Sequence, residues 1–303
     1  MNIITGEKIQ LLCDYYIGSI DDFKFNPIIT NQIHKQIDID NYDIKNINQL
    51  HIDNIFCYTH LINGETTNYS QEKCKRNIKN LLTILENINT SFNIFFHNSD
   101  SCLKEYHINL LNISNLKYIY TQNLYVKPNQ KINPLPIGIA NSMWKHGNLD
   151  IWNKIIEKFN FYNKKQLVYF NFNINTNTKK RLECYNSIIS KNIKNVPNTD
   201  YFNYLQILSC YKFAICPEGN GLDTHRLWEC LYLMVIPICL KNELTQHFSK
   251  YFPIVLLDSW NDLTIQELNK IFDQANWENY KLLDLNNFLN SIKFKRIQHL
   301  NNN

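Results

Sequence analysis

The stretch that most restricts this chain is residues 212–240, KFAICPEGNGLDTHRLWECLYLMVIPICL. The apolar run Phe213–Cys216 reads as a strand that breaks at a turn holding Pro217, Gly219 and Gly221. A helix is expected to open at Asp223, and a second apolar strand to cover Ile236–Leu240. Strand, glycine turn, helix, strand is the repeating unit of a parallel α/β fold. In such folds ligands bind beyond the carboxyl ends of the strands, where a loop meets a helix N-terminus. The polar residues of the stretch fall there: Glu218, Asn220, Asp223, Thr224, His225, Arg226 and Glu229.

Each of these side chains has a chemistry suited to that place. Asp223 is expected to act as N-cap, accepting from free amides of the first helical turn. The helix start carries partial positive charge and unpaired N–H groups, which favour phosphate. Arg226 adds a planar fork of donors that fits a diphosphate. Glu229 follows three residues after Arg226 and four after His225, so all three share one helix face. At that offset its carboxylate can accept from ribose or sugar hydroxyls. Plain structure competes with each reading taken singly: Arg226 and Glu229 as an intrahelical ion pair, Asp223 as a simple cap.

The string FAICPEGNGLDTHRLWECLYLMVIPI resembles the C-terminal signature of exostosin-like glycosyltransferases. It is also similar to the donor-site segment of other GT-B transferases, including α1,3-fucosyltransferases. One departure is Met234-Val235, where relatives carry a small residue or glycine before the last strand. The resemblance implies an α/β chain with two Rossmann-like domains facing a cleft (GT-B type) and a nucleotide-sugar donor held by the C-terminal domain. Carried over by position, Arg226 would hold the diphosphate, Glu229 the ribose or sugar hydroxyls, and Glu218, Gly219, Asn220 and Gly221 the sugar. A UDP-sugar and inversion are implied by the exostosin resemblance, GDP-fucose by the fucosyltransferase one. The implied partners are the nucleotide-sugar and a glycan or glycoprotein acceptor. No cofactor and no metal are expected, because a helix dipole and arginine can neutralise a leaving diphosphate.

The rest of the 303-residue chain is consistent with two α/β halves. Residues 1–50 read as a polar, irregular lead-in with a short strand at Lys8–Tyr16, and 51–150 as an N-terminal acceptor domain. Within it, IDNIFCYTHLI, SFNIFFHNSD and LKYIYTQN are expected strands, separated by expected helices QEKCKRNIKNLLTILENI and LKEYHINLLNI. Their ends place His60, His97, Asn98, Asp100 and Gln122 along one carboxyl edge. A further strand is expected at Leu135–Ala140, followed by a loop with Trp144 and His146. His60, Asn98, Gln122, Trp144 and His146 are the candidate acceptor-binding residues, with Trp144 suited to stacking on a sugar ring. An inverting transfer needs one general base from this side of the cleft, and His97 and Asp100 are the candidates. Residues 151–165 read as a linker helix and 166–303 as the donor domain. In that domain Asn171, at the end of its first strand, and Arg181, at the start of the next helix, are further donor-binding candidates. Asp223, Thr224 and His225 complete that set.

Composition excludes several classes. The net charge is +4, with lysines scattered rather than clustered, so nucleic-acid binding is not indicated. The nine cysteines include no CxxC pair and read as reduced core thiols rather than a zinc or disulfide framework. Asp38 and Asp40 lie in a polar, Asn- and Ile-rich tract that reads as low complexity rather than as a metal site. Abundant Asn, Ile, Lys and Tyr resemble the composition of giant DNA virus proteins. The first residues lack a signal-peptide pattern, and the most apolar stretch, Leu231–Leu240, is too short to span a bilayer. A cytoplasmic location without a membrane span is therefore expected. Another nucleotide-dependent α/β enzyme is the competing enzyme reading, although no GxGxxG follows the first strand. A catalytically inactive glycan-binding or structural protein is the competing reading outside catalysis.

Overall fold

The computed structural model describes residues 1–292 except 65–68, 105–106, 108–109, 111, 159 and 161–163. Two parallel sheets organise it. The larger has six strands in the order β2-β1-β3-β4-β5-β6: β1 (Tyr15–Gly18), β2 (Gln36–Asp38), β3 (Asn54–Tyr58), β4 (Phe92–His97), β5 (Leu116–Thr121) and β6 (Ile132–Pro134). The smaller has four in the order β10-β9-β8-β7: β7 (Gln166–Tyr169), β8 (Tyr211–Ile215), β9 (Ile236–Leu240) and β10 (Val255–Leu257). Every strand pairing within the two sheets is parallel, so within each sheet the carboxyl ends share one edge. All five residues of β3 are buried, and so are all but one of β4, as expected of strands covered on both faces.

Residues 1–50 are not a lead-in. Thr5 caps the helix Gly6–Leu11 by accepting from the Lys8 amide, so the strand expected at Lys8–Tyr16 is a helix followed by β1. β1 sits between β2 and β3 inside the larger sheet. With four and three residues, β1 and β2 are too short to show a period in the sequence. The strand expected at Leu135–Ala140 is also displaced. β6 ends at Pro134; the Leu135 amide still donates to Thr121 O at 2.8 Å, and further on Ile139 forms a single bridge to Thr5. The linker helix is Leu149–Lys158. Five of the eleven residues of the helix expected at LKEYHINLLNI lie outside the described residues.

The two halves share one core. Tyr232, on the helix His225–Tyr232, accepts from the Ile4 amide at 2.8 Å and donates to the Leu283 carbonyl at 2.7 Å. The Leu285 amide donates to the Asn2 carbonyl at 2.8 Å, so the C-terminal segment crosses back onto the first residues of the chain. One buried apolar cluster runs through both halves, and a smaller one underlies the far face of β7–β10.

The helix His225–Tyr232 ends in a Schellman motif. The Val235 amide donates to Cys230 O at 2.8 Å and the Met234 amide to Leu231 O at 3.0 Å. Met234 therefore occupies the left-handed position, with φ of 50°, where glycine carries no Cβ penalty. Met234→Gly is expected to stabilise the fold by about 0.5–1 kcal/mol, after allowing for glycine's greater freedom in the unfolded chain. Urea unfolding of both proteins reads the difference, and an equal or lower midpoint for the variant contradicts it.

Candidate functional site

The carboxyl ends of the two sheets meet at a short extended segment, Pro136–Ile139. Its backbone ties together three other parts of the chain. The Pro136 carbonyl accepts from His97 Nε2 at 3.0 Å, and the Ile137 amide donates to Asp223 Oδ2 at 2.7 Å. The Gly138 carbonyl accepts from His225 Nδ1 at 2.8 Å, and the Ile139 amide donates to Ile4 O at 2.9 Å. Gly138 has φ of 66°, and a Cβ there would lie 2.3 Å from the Ile4 carbonyl oxygen, so only glycine fits.

Two contiguous clefts open on either side of this segment, of about 500 and 560 Å³. Asp100, Ile137, His146, Thr176, Asn220 and His225 line both. Asn220 Nδ2 donates to Asp100 Oδ2 at 3.2 Å, joining the two halves across the junction.

The first cleft is built around two arginines. Arg226 Nη1 donates to the Asn171 carbonyl, and the guanidinium lies 5.0 Å from the Tyr204 ring centroid and 5.5 Å from that of Tyr169. Its Nε is buried with no acceptor among the described residues. Arg181 donates from Nε to the Glu218 carbonyl at 2.9 Å and from Nη1 to the Asn173 carbonyl at 2.8 Å. Among the described residues neither guanidinium has a carboxylate within ion-pairing distance. Burial, and then the charge of Arg226, lower the Arg181 pKa, so the two cations oppose each other. Partly buried cations are ordinarily paired, and this pair has carbonyls and aromatic faces instead. The cleft is therefore electrostatically suited to an anion.

Glu229 forms the floor. It is buried and accepts from Tyr201 Oη at 2.8 Å and Tyr204 Oη at 2.6 Å. Burial and the Glu229 charge raise the Tyr201 pKa, so the phenol remains a donor. The direct Arg226–Glu229 ion pair does not form, because the Tyr204 ring stacks on the guanidinium while its hydroxyl engages the carboxylate.

No family model matches the chain, and a search of curated proteins finds no match.

The structure gathers Gly219, Asn220, Gly221, Asp223, Thr224, His225, Arg226, Glu229 and Arg181 around the first cleft. Several have different roles from those expected. The helix begins at His225 after Thr224, so Asp223 is not its N-cap. Asp223 is buried and accepts from the amides of Ile137 and Thr224 and from Trp228 Nε1. Burial raises its pKa to about 7 against these hydrogen bonds. Glu218 does not line the cleft: its carboxylate engages Lys180 and the Asn242 amide. Asn171 does not line it either. Its side chain binds Val196 O and Asn198, and only its carbonyl serves the site, by holding Arg226. Gly221 leaves room for Asn123, whose Nδ2 would lie 2.5 Å from a Cβ there.

The second cleft holds His97, Asn98, Asp100, Gln122, Trp144 and His146. Asn98 takes a φ of 54°, donates to Gln10 Oε1 and accepts from Asn141 Nδ2. Gln122 is buried, with Oε1 bonded to no described residue. Trp144 is exposed on the rim, 5.7 Å centroid to centroid from exposed Phe25. His60 lies outside both clefts. It bonds Asp22 Oδ1 at 2.7 Å, and Asp22 is the member that lines the second cleft. Burial would raise the Asp22 pKa, but the His60 hydrogen bond and charge outweigh it and the net direction is down.

His97 cannot act as the expected base in this arrangement. Nε2 donates to Pro136 O, and Nδ1 accepts from the Asn98 amide at 2.8 Å, so the buried ring has no free nitrogen. The sequence reading passed over Tyr201, Tyr204, Phe172 and Thr176, which line the first cleft. The three-residue spacing of Tyr201 and Tyr204 on the helix Tyr201–Ser209 is the one available signal, since it puts both phenols on one face. Among the described residues no group of three or more His, Cys, Asp or Glu side chains is placed to share a metal ion, and no helix is long and apolar enough to cross a membrane.

Burial lowers the His97 pKa to about 4, against an ordinary value near 6.5. The unfolded chain thus binds a proton at His97 between pH 6.5 and 4 that the folded chain does not. Stability present above pH 6.5 should fall as pH drops through this window, by up to about 3 kcal/mol from this residue. Asp223 works in the opposite sense, because its raised pKa makes the folded form hold a proton that the unfolded chain releases. The His97 contribution is therefore read by difference. His97→Gln keeps a donor for Pro136 O without the titration, and denaturant unfolding at pH 7 and 4.5 should show a smaller acid penalty in the variant. Equal penalties contradict the assignment.

Proposed function

We propose that this protein is a GT-B-type glycosyltransferase that moves a sugar from a nucleotide-sugar to a glycan or glycoprotein. The observation that carries this reading is the pair of arginines without carboxylate partners among the described residues, lining a cleft at the carboxyl edge of a parallel sheet. Strong anion binding in this position is a property of nucleotide-binding α/β folds. The diphosphate would lie against Arg226 and Arg181, which together neutralise charge on the leaving group as its bond to the sugar breaks. The amide end of the helix His225–Tyr232 opens on the same space.

The sugar would then reach the Asp100–Asn220 junction, where the two clefts meet. The second cleft, with its exposed aromatic rim and amide-rich lining, suits a carbohydrate acceptor: rings stack on C–H faces and amides bond hydroxyls. Transfer from one cleft to an acceptor in the other is a single displacement with inversion. A UDP-sugar is the favoured donor and GDP-fucose the alternative. Nine free thiols, most of them buried, support a reducing compartment such as the cytoplasm.

Arg226→Ala tests the reading. Thermal-shift titration with UDP, GDP, CMP and ADP should show stabilisation of the wild type by one nucleotide and at least tenfold weaker binding by the variant, as loss of a charge-assisted bond of ~1.5–3 kcal/mol implies. Arg226→Lys should recover only part, because an ammonium lacks the two-pronged fork. Undiminished affinity in Arg226→Ala removes the diphosphate assignment.

A further inference from the structure

Transfer to a hydroxyl requires a group that takes its proton, and the clefts contain a better-placed candidate than the buried His97. His225 lines both clefts, at their junction. Its Nδ1 lies 2.8 Å from the Gly138 carbonyl oxygen, which can only accept, so Nδ1 carries the hydrogen. This fixes the tautomer and leaves Nε2 with a lone pair. Nε2 is bonded to no described residue, and the half-buried side chain lines both clefts. His97 is the reverse case: both nitrogens are engaged, and the ring is buried.

We infer that His225 is the general base, a reading that rests on the glycosyltransferase assignment above. Its Nε2 accepts the proton of the acceptor hydroxyl as that oxygen bonds to the anomeric carbon. The bond from that carbon to the diphosphate breaks, and its electron pair leaves on the phosphate oxygen beside the arginines. The proton ends on the imidazolium, and no other reactant is consumed. Four titratable groups face the ring. Glu229 lies one turn along the same helix, and Asp100, His146 and His97 approach from the other elements. Burial holds the imidazole pKa down, and the Gly138 hydrogen bond, Glu229 and Asp100 partly offset this. The base is thus neutral, and able to accept, at neutral pH. The two carboxylates favour the imidazolium once it forms. Asp100, exposed and bonded to Asn220, is a positioning and electrostatic residue in this scheme rather than the base.

The test compares wild type with His225→Asn, whose side-chain amide keeps a donor near the Nδ1 position but has no counterpart of the Nε2 lone pair. Release of nucleoside diphosphate from UDP-glucose, UDP-galactose, UDP-N-acetylglucosamine and GDP-fucose, with water as acceptor, is measured from pH 5 to 9. Binding of UDP and GDP is followed in parallel. The expected result is at least a hundredfold loss of turnover, nucleotide affinity within threefold of wild type, and loss of the acidic limb of the pH–rate profile. Long-range proton–nitrogen NMR of the wild-type imidazoles should show Nδ1 protonated and Nε2 bare at pH 7. Turnover within threefold of wild type, an Nε2–H tautomer, or a wild type that binds nucleotide but consumes no donor overturns the inference while leaving nucleotide binding in place. A wild type that binds neither UDP nor GDP overturns the transferase reading and the base with it.

Discussion

The site depends on one stretch of backbone, Pro136–Ile139, and on the glycine within it. Its peptide groups alternate between donor and acceptor toward opposite neighbours. Two carbonyls fix the tautomers of His97 and His225, and two amides engage Asp223 and Ile4. A strand in the ladder would give half of these groups to its neighbour, leaving fewer of them for side chains. The chain therefore leaves the sheet at Pro134, and Gly138 turns through a positive φ over the Ile4 carbonyl. Local irregularity is what makes these groups available to side chains from both halves.

The same constraint explains the division of labour between the two histidines. Both bond carbonyls of this segment, two residues apart. His97 uses Nε2 and spends Nδ1 on the next amide, made reachable by the left-handed Asn98. His225 uses Nδ1 and keeps Nε2 for the cleft. A position at the end of an apolar strand is where sequence patterns direct attention, and His97 is there. Which ring nitrogen remains free is decided by a contact some forty residues away for His97 and nearly ninety for His225, and no local pattern encodes it.

What could be read along the chain follows that distinction. β3, β4, β8 and β9 are apolar runs ended by turn residues, and the sequence shows them plainly. β1 and β2 are too short to carry a period, so the first fifty residues looked irregular although they supply a third of the larger sheet. The Gly-rich turn and its polar cluster were legible as a group, because glycine and the strand-to-helix change are local features. The roles within the group were not. Asp223 has the composition of a cap, yet its carboxylate is drawn away by Ile137 and Trp228, leaving Thr224 as the flanking residue. Asn171 contributes a carbonyl rather than its amide, which residue type cannot predict.

The arginine cleft shows the same principle in its electrostatics. Arg226 and Glu229, three apart on one helix, have the spacing of an ion pair, and a direct pair would have used up the guanidinium's donors. Tyr204 separates them. Its ring lies against the cation and its hydroxyl bonds the carboxylate, so the buried negative charge is satisfied by two phenols and still acts on Arg226 at a distance. The cation is kept in place without being neutralised by contact, and its guanidinium lines the cleft. Arg181, held by two carbonyls and opposed by Arg226, adds a second positive charge to the same cleft. Positive charge arranged this way is poorly explained by stability, since it costs desolvation and returns no ion pair. Under the function proposed above, the diphosphate would complete the pairing the fold leaves open.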